Sequence, residues 1–316
     1  MRNPGDALAS TLINPTNTMR YQPIPPDILS ARFPEHTGFE FMNSGGYKTV
    51  YSIVRADGEP EVLKVIRLPL EGATEEEVAF RRQELGRARR EVALLRDCTS
   101  PFVVKLGSVF PAIHEIEGEE CVVYSEERLP GQDLKALIAS KSAPSAEEIK
   151  LLLSCLVQAI RSLWRDQHTV HRDIKPANVV ATGIVERPYV LLDLGIAYNV
   201  REAGLTANAD DIPATPQYMA PEMLDPNFRE HLSYRADLYA TGVTAFEFAT
   251  GGIHPLARSA DDVIRTISRI LRQEPRVLAS DRPDLPATLT TLVDQLIKKN
   301  PALRPGNLNL LLNKLT

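Results

Sequence analysis

The stretch HRDIKPANVV, residues 171 to 180, sets Asp173 and Asn178 five positions apart, and YVLLDLG, residues 189 to 195, is an apolar run that ends in Asp193 and Gly195. An aspartate at the end of a strand, beside a carboxamide oxygen, offers hard oxygen ligands of the kind Mg2+ prefers. A second carboxylate close by is placed to orient an attacking hydroxyl or to accept its proton. Lys64 stands in EVLKVI, another apolar run, where an ammonium is costly to bury without a partner.

The elements that must position these groups follow from periodicity. FEFMN, KTVYSIVRA and EVLKVIRL, between residues 39 and 68, are β-branched and aromatic runs, and the turn ADGEP separates the last two as in a hairpin. Residues 74–97 read as one long helix, stopped by Ser100-Pro101. Two more strands are expected at 102–110 and 120–126. After LPGQ, residues 129–132, the pattern turns helical: DLKALIASK, a long helix opened by the capping pair Ser145 and Glu148, and segments at 234–250, 259–272, 288–299 and 306–315. The strand VVAT, 179–182, follows HRDIKPAN. The expected fold is α+β and bilobal, with a small β-rich lobe over 39–126 carrying one long helix, a connector at 127–132 and a larger α-helical lobe over 133–316. Two lobes joined by a connector make a cleft, where small-molecule sites prefer to lie. Residues 1–38 are rich in Pro, Asn and Thr and read as an extended or partly ordered arm. Tyr21, Ile24, Ile28, Leu29 and Phe33 are its apolar anchors for packing on the small lobe.

Composition sets the outer bounds. The chain has 316 residues, 43% hydrophobic and 24% charged, with a net charge of −5. That suits a soluble protein of ~2 domains or one bilobal unit and argues against general nucleic-acid affinity. The Arg-rich RRQELGRARR, 81–90, has TEEE close before it and reads as a solvated helix face laced with ion pairs. Three widely spaced cysteines, Cys98, Cys121 and Cys155, make neither a disulfide framework nor a zinc pattern and fit a reducing compartment. The most apolar run, LLLSCLVQAI, is too short to span a bilayer, and the N-terminus lacks the apolar core of a signal peptide. A cytoplasmic protein, or a cytosolic piece of a longer one, is expected.

HRDIKPAN, Asp193-Leu194-Gly195 and Ala220-Pro221-Glu222, in that order, resemble the catalytic loop, metal motif and activation-segment end of eukaryotic-type (Hanks-type) Ser/Thr protein kinases. The resemblance covers about residues 39–312. It implies a fold of two lobes with ATP and Mg2+ as cofactors, and transfer of the γ-phosphoryl group to Ser or Thr hydroxyls of proteins, autophosphorylation included. In that reading Asp173 orients and deprotonates the hydroxyl and Lys175 stabilises charge on the γ-phosphoryl group. Lys64, held by Glu91 on the following helix, binds the α- and β-phosphates, and Asn178 and Asp193 hold the metal. NSGGYKTV aligns with the Gly-rich loop through Val50, so that Gly45 is the middle glycine, followed by Gly46 and Tyr47, with Asn43 and Lys48 in place of the outer glycines. Leu194 replaces the usual Phe, and Val62, in the place of an Ala, presses on the adenine. In the activation segment, Thr206 is the expected phosphate acceptor and Thr215, with Lys175, matches the Ser/Thr-specific arrangement. Asp210 and Asp211 offer fixed charge as an alternative to a phosphate. Asp237 is expected to brace the catalytic loop and Arg304 to pair with Glu222, both as structural residues. His171 is expected to be a packing residue, and His114, His168, His231 and His254 are given no role.

Two other readings compete with this one. A nucleotide-binding pseudokinase or scaffold would have lost Lys64, Asp173, Asn178 or Asp193, and none is lost. A small-molecule kinase of the aminoglycoside type would lack the segment TPQYMAPE, which is present. The partners implied are protein substrates with Ser/Thr acceptors, no nucleic acid, no membrane segment, and a homodimer as one route to trans-autophosphorylation.

Overall fold

The computed structural model describes residues 22–45, 48–68, 75–140, 143–194, 197–200, 216–225 and 232–315. Tyr21, Gly46, Thr206 and Thr215 lie outside them, as do His231, Asp210 and Asp211. The described residues divide into two compact units: one holds those from 22 to 97 and Val104–Leu129, and the other holds Cys98–Val103 and those from Pro130 onward.

In the first unit, α1 (Pro26–Arg32) precedes β1 (His36–Gly45), β2 (Lys48–Arg55) and β3 (Pro60–Arg67), then α2 (Glu75–Asp97), β4 (Ala112–Ile116) and β5 (Glu119–Glu127). The strands form one antiparallel sheet in the order β1-β2-β3-β5-β4. Strand alternation divides β3: Leu63 and Val65 point one way, while Val62, Lys64 and Ile66 point the other. The first face packs with Tyr51, Ile53 and Val123 into a core closed by Ile24, Leu29 and Phe33. The second packs Ile66, Val122 and Tyr124 against Ala88, Leu85 and Val92 of α2.

The arm therefore differs from its expected extended form over residues 22–38. Pro26 sits at the first helical position, where its missing N–H costs nothing and its fixed φ favours the helix. The Ile24 N–H donates to the Tyr51 hydroxyl at 2.6 Å, and Leu29 is fully buried. Of the expected anchors, Ile24, Leu29 and Phe33 are buried and Ile28 is half-buried against the same core. Residues 102–110 are likewise not a strand. Glu61 turns its carboxylate to the Ser108 N–H at 2.8 Å and to the Ser108 and Ser125 hydroxyls, which interrupts the ladder, and regular pairing begins only at Ala112. Cys98–Val103, assigned from sequence to the small lobe, belongs to the other unit: the Leu191 N–H donates to Phe102 O at 2.9 Å and the Arg187 side chain to Pro101 O at 2.6 Å.

The second unit continues with β6 (Gln132–Asp133), α3 (Leu134–Ala139), α4 (Ala146–Gln167), β7 (Thr169–Val170), β8 (Val179–Ala181), β9 (Tyr189–Leu191), β10 (Tyr198–Asn199), α5 (Tyr234–Ala249), α6 (Val263–Arg272), α7 (Leu278–Asp281), α8 (Ala287–Leu296) and α9 (Leu308–Asn313). Ser145 and Glu148 form the expected reciprocal cap of α4. Gly131 enters this unit at φ 89°, and a Cβ there would lie 2.0 Å from Ala181 O, so only glycine lets β6 pair with β8. Gly242 lets α5 approach α8, since a Cβ would meet Leu296 at 2.7 Å. No described helix is long and apolar enough to cross a membrane.

Residues 216–225 are pinned to this unit by three side-chain contacts. Arg304, fully buried, spends all five N–H donors: two on the Glu222 carboxylate at 2.6 and 2.9 Å, the rest on the carbonyls of Lys298, Lys299 and Arg235. The Tyr218 hydroxyl donates to Glu247 at 2.7 Å. The His254 Nδ1 accepts the N–H groups of Leu256 and Ala257, and Nε2 donates to Gln217 O at 3.0 Å. That pattern requires the neutral ring, and burial holds its pKa down at about 4, from 6.5.

This packing makes two predictions. Leu29→Ala should lower the urea-unfolding stability by about 2–5 kcal/mol; a loss below ~1 kcal/mol would mean that α1 docks without contributing. His254 stays neutral in the folded chain down to about pH 4, while an unfolded histidine takes its proton near 6.5. Between those values the unfolded state binds more protons, so stability falls as pH falls, by about 3 kcal/mol over the whole window. His254→Asn should flatten that part of the stability-against-pH curve, and an unchanged slope would rule the residue out as its source.

Candidate active site

In the second unit the site begins with a strained turn. Arg172 has φ 72° and Asp193 φ 60°, left-handed values that non-glycine residues adopt only under constraint. The constraint on the first is Asp237, fully buried on α5, whose two carboxylate oxygens accept the N–H groups of His171 at 2.8 Å and Arg172 at 2.9 Å. Burial pushes the Asp237 carboxyl up, while the N–H groups of His171 and Arg172 and the Arg172 charge pull it back down. His171, with no exposed surface, locks the next link: its Nδ1 accepts the Asp173 N–H at 3.2 Å, so Nε2 donates to Leu192 O at 3.0 Å. The ring thus ties the loop that carries Asp173 to the residue preceding Asp193. It is a packing residue, as the sequence suggested.

Asp173 is gripped by two neighbours. Lys175 Nζ lies 2.9 and 2.8 Å from its two oxygens, and Asn178 Nδ2 donates to Oδ2 and to the backbone carbonyl, both at 2.9 Å. Because the Asn178 nitrogen is used this way, its Oδ1 is the atom left to act as a ligand. The β8–β9 ladder brings that residue beside Asp193: the Leu192 N–H donates to Asn178 O at 2.8 Å. A carboxamide oxygen and a carboxylate on adjacent strand ends fit a hard cation that shares its remaining ligands with phosphate and water. No group of three or more His, Cys, Asp or Glu side chains placed to hold a metal exists among the described residues.

In the first unit, Lys64 is buried on β3, and its Nζ donates to Glu91 Oε1 of α2 at 2.9 Å. The same ammonium also contacts Glu126 of β5, and it stands 5.5 Å from the centre of the Tyr124 ring. Sequence reasoning missed Glu126. The signal was its place in β5, cross-strand from Val62 and two residues from Tyr124, the cross-strand neighbour of Lys64. Burial pushes the Glu126 carboxyl up, against the pull of Lys64. Val50 on β2 is the neighbour of Lys64 on the other side. Gly45 ends β1 opposite Lys48.

Comparison with known proteins places this geometry. The family described as protein kinase domain matches residues 39–315. Serine/threonine-protein kinase PkaA of Streptomyces coelicolor is 30% identical over 80% of this chain and 42% of its own length. The dual specificity mitogen-activated protein kinase kinase mek-1 of Caenorhabditis elegans is 30% identical over 68% of this chain and 56% of its own. Mitogen-activated protein kinase kinase kinase 1a of Physcomitrium patens is 30% identical over 67% of this chain and 25% of its own. The chain therefore spans between a quarter and somewhat over half of these relatives. The crystal structure of the Mycobacterium tuberculosis PknI kinase domain, a cysteine-to-alanine mutant, shares the fold, with a TM-score of 0.58 at 21% identity over 89% of this chain and 95% of that one. Since the family match takes in the strands around Lys64 as well as the loop around Asp173, the chain belongs to the protein kinase domain family.

Proposed function

We propose that this chain is a Ser/Thr protein kinase that transfers the γ-phosphoryl group of ATP to protein hydroxyls. The observation that carries the reading is the Asp173 carboxylate, held by Lys175 and Asn178 on a turn that Asp237 keeps in a costly conformation. Strain of that kind persists where the surroundings over-determine it, and it clusters at reacting centres. The acceptor oxygen attacks the γ-phosphorus as the bond to the β–γ bridging oxygen breaks. ADP leaves with that electron pair, and the hydroxyl proton passes to Asp173. Lys175, which contacts Asp173, stabilises the charge on the transferred group. Lys64, fixed by Glu91, binds the α- and β-phosphates, with Val50, Gly45 and Gly46 contributing to the nucleotide site. Asn178 and Asp193 would hold Mg2+, which when bound neutralises charge on the phosphates. The transition state is loose, so fixed positions and fixed charges supply most of the acceleration.

Thr206 is the proposed acceptor of a regulatory phosphate, Thr215 the mark of Ser/Thr preference, and a second copy of the chain the partner for trans-autophosphorylation. The reading places the enzyme in the cytoplasm, in keeping with three buried cysteines that form no disulfide.

Incubation with radiolabelled ATP and Mg2+, alone and with a generic basic acceptor protein, tests the reading. Label on Ser or Thr is expected with the wild type and not with Asp173→Ala, whose ATP affinity should remain nearly unchanged. Equal labelling by the variant would remove Asp173 from the chemistry.

A further inference from the structure

Lys64 is shared between two acids. One ammonium serves two carboxylates, Glu91 and Glu126, and all three side chains are buried. A buried carboxylate is costly unless a positive charge compensates it, and here two carboxylates draw on the same ammonium. The groups that face Glu126 are Lys64 from β3, Glu91 from α2 and Lys48 from β2. Burial pushes the Glu126 carboxyl up, Lys64 and Lys48 pull it down, and Glu91 pushes it further up.

From this geometry we infer that Glu126 is an affinity-determining residue for the nucleotide, an internal anion that competes with nucleotide phosphate for the Lys64 ammonium. The inference rests on the reading of Lys64 as the phosphate-binding lysine. A phosphate oxygen arriving at Lys64 meets an ammonium already shared by two carboxylates, and it must displace Glu126 or bear its repulsion. Glu91, on the helix, keeps the ammonium in place, so Glu126 is the partner that gives way. The residue acts on the phosphates through Lys64, which makes it a positioning residue. Its effect is confined to ligands that carry phosphate, because adenosine brings no charge to Lys64.

Isothermal titration of the full chain with ATP and Mg2+, and separately with adenosine, tests this on wild type, Glu126→Gln, Glu126→Met and Lys64→Met. Both Glu126 variants remove the charge at similar length, so one remains informative if the other does not fold. ATP should bind them tighter by on the order of tenfold, with adenosine affinity unchanged. ATP binding that is no tighter, or adenosine binding that tightens equally, overturns the inference; the second result would make Glu126 a matter of pocket shape. If Lys64→Met weakens ATP while the Glu126 variants leave it unchanged, only this inference falls. If Lys64→Met leaves ATP unaffected, or if no form binds ATP, the phosphate-binding reading falls with it.

Discussion

The chemistry of the second unit depends on one buried carboxylate. Asp237 accepts the backbone N–H groups of His171 and Arg172, and that grip holds Arg172 in a left-handed conformation. Such a conformation costs about 1–3 kcal/mol. The two hydrogen bonds to the Asp237 carboxyl group oppose that cost. Everything downstream inherits the turn. It sends the Asp173 N–H to the His171 ring, passes the ring's other nitrogen to Leu192 O, and leaves Asp173 where Lys175 and Asn178 both reach it. A residue on a helix thus fixes a carboxylate on a loop without touching it.

The first unit solves a related problem differently. Lys64 must lie on an apolar face to reach its place, and its burial would be prohibitive alone. The sheet and α2 bring acids to it from two directions, with the Tyr124 ring beside them. The opposite face of the same strand carries no such duty. There Leu63 and Val65 meet Ile24, Leu29 and Phe33, and the segment before the sheet becomes part of the core. Strand alternation sorts the two tasks: odd positions of β3 build the fold, and even positions build the site.

Much of this was legible in the sequence, for local reasons. HRDIKPAN, the apolar strand before Asp193 and the hairpin around ADGEP each carry their structure in a few adjacent residues, and the Ser145–Glu148 cap is readable because its partners are three apart. What escaped depends on tertiary partners. Pro23, Pro25 and Pro26 argue against a helix until Pro26 is seen at its first position. Val103 and Val104 look like a strand start, but Glu61, more than forty residues away, takes the hydrogen bond that a ladder would need. Glu126 ends the strand expected at 120–126, in the run SEER, and only the fold shows it buried against Lys64. His254 was one of several scattered histidines until its ring was found between Gln217 and two backbone N–H groups. The sites at Gly46, Thr206 and Thr215 fall outside the described residues.

The buried charges also differ in kind, and the difference separates scaffold from site. Arg304 meets Glu222 one to one, uses every donor it has, and stacks on Tyr239 at 4.9 Å. Such a pair is complete: a further ligand would find no donor left on it, and removing one partner would strand the other charge in the interior. At Lys64 one ammonium is shared between two buried carboxylates. A shared ammonium can exchange one of its partners for another anion, which a closed pair cannot do without stranding a charge. Closed pairs hold the 216–225 segment in register, whereas the open cluster keeps a charge whose partner can change. The geometry that makes Glu126 a poor stabiliser of the fold is also what makes it a means of setting how readily Lys64 accepts a phosphate.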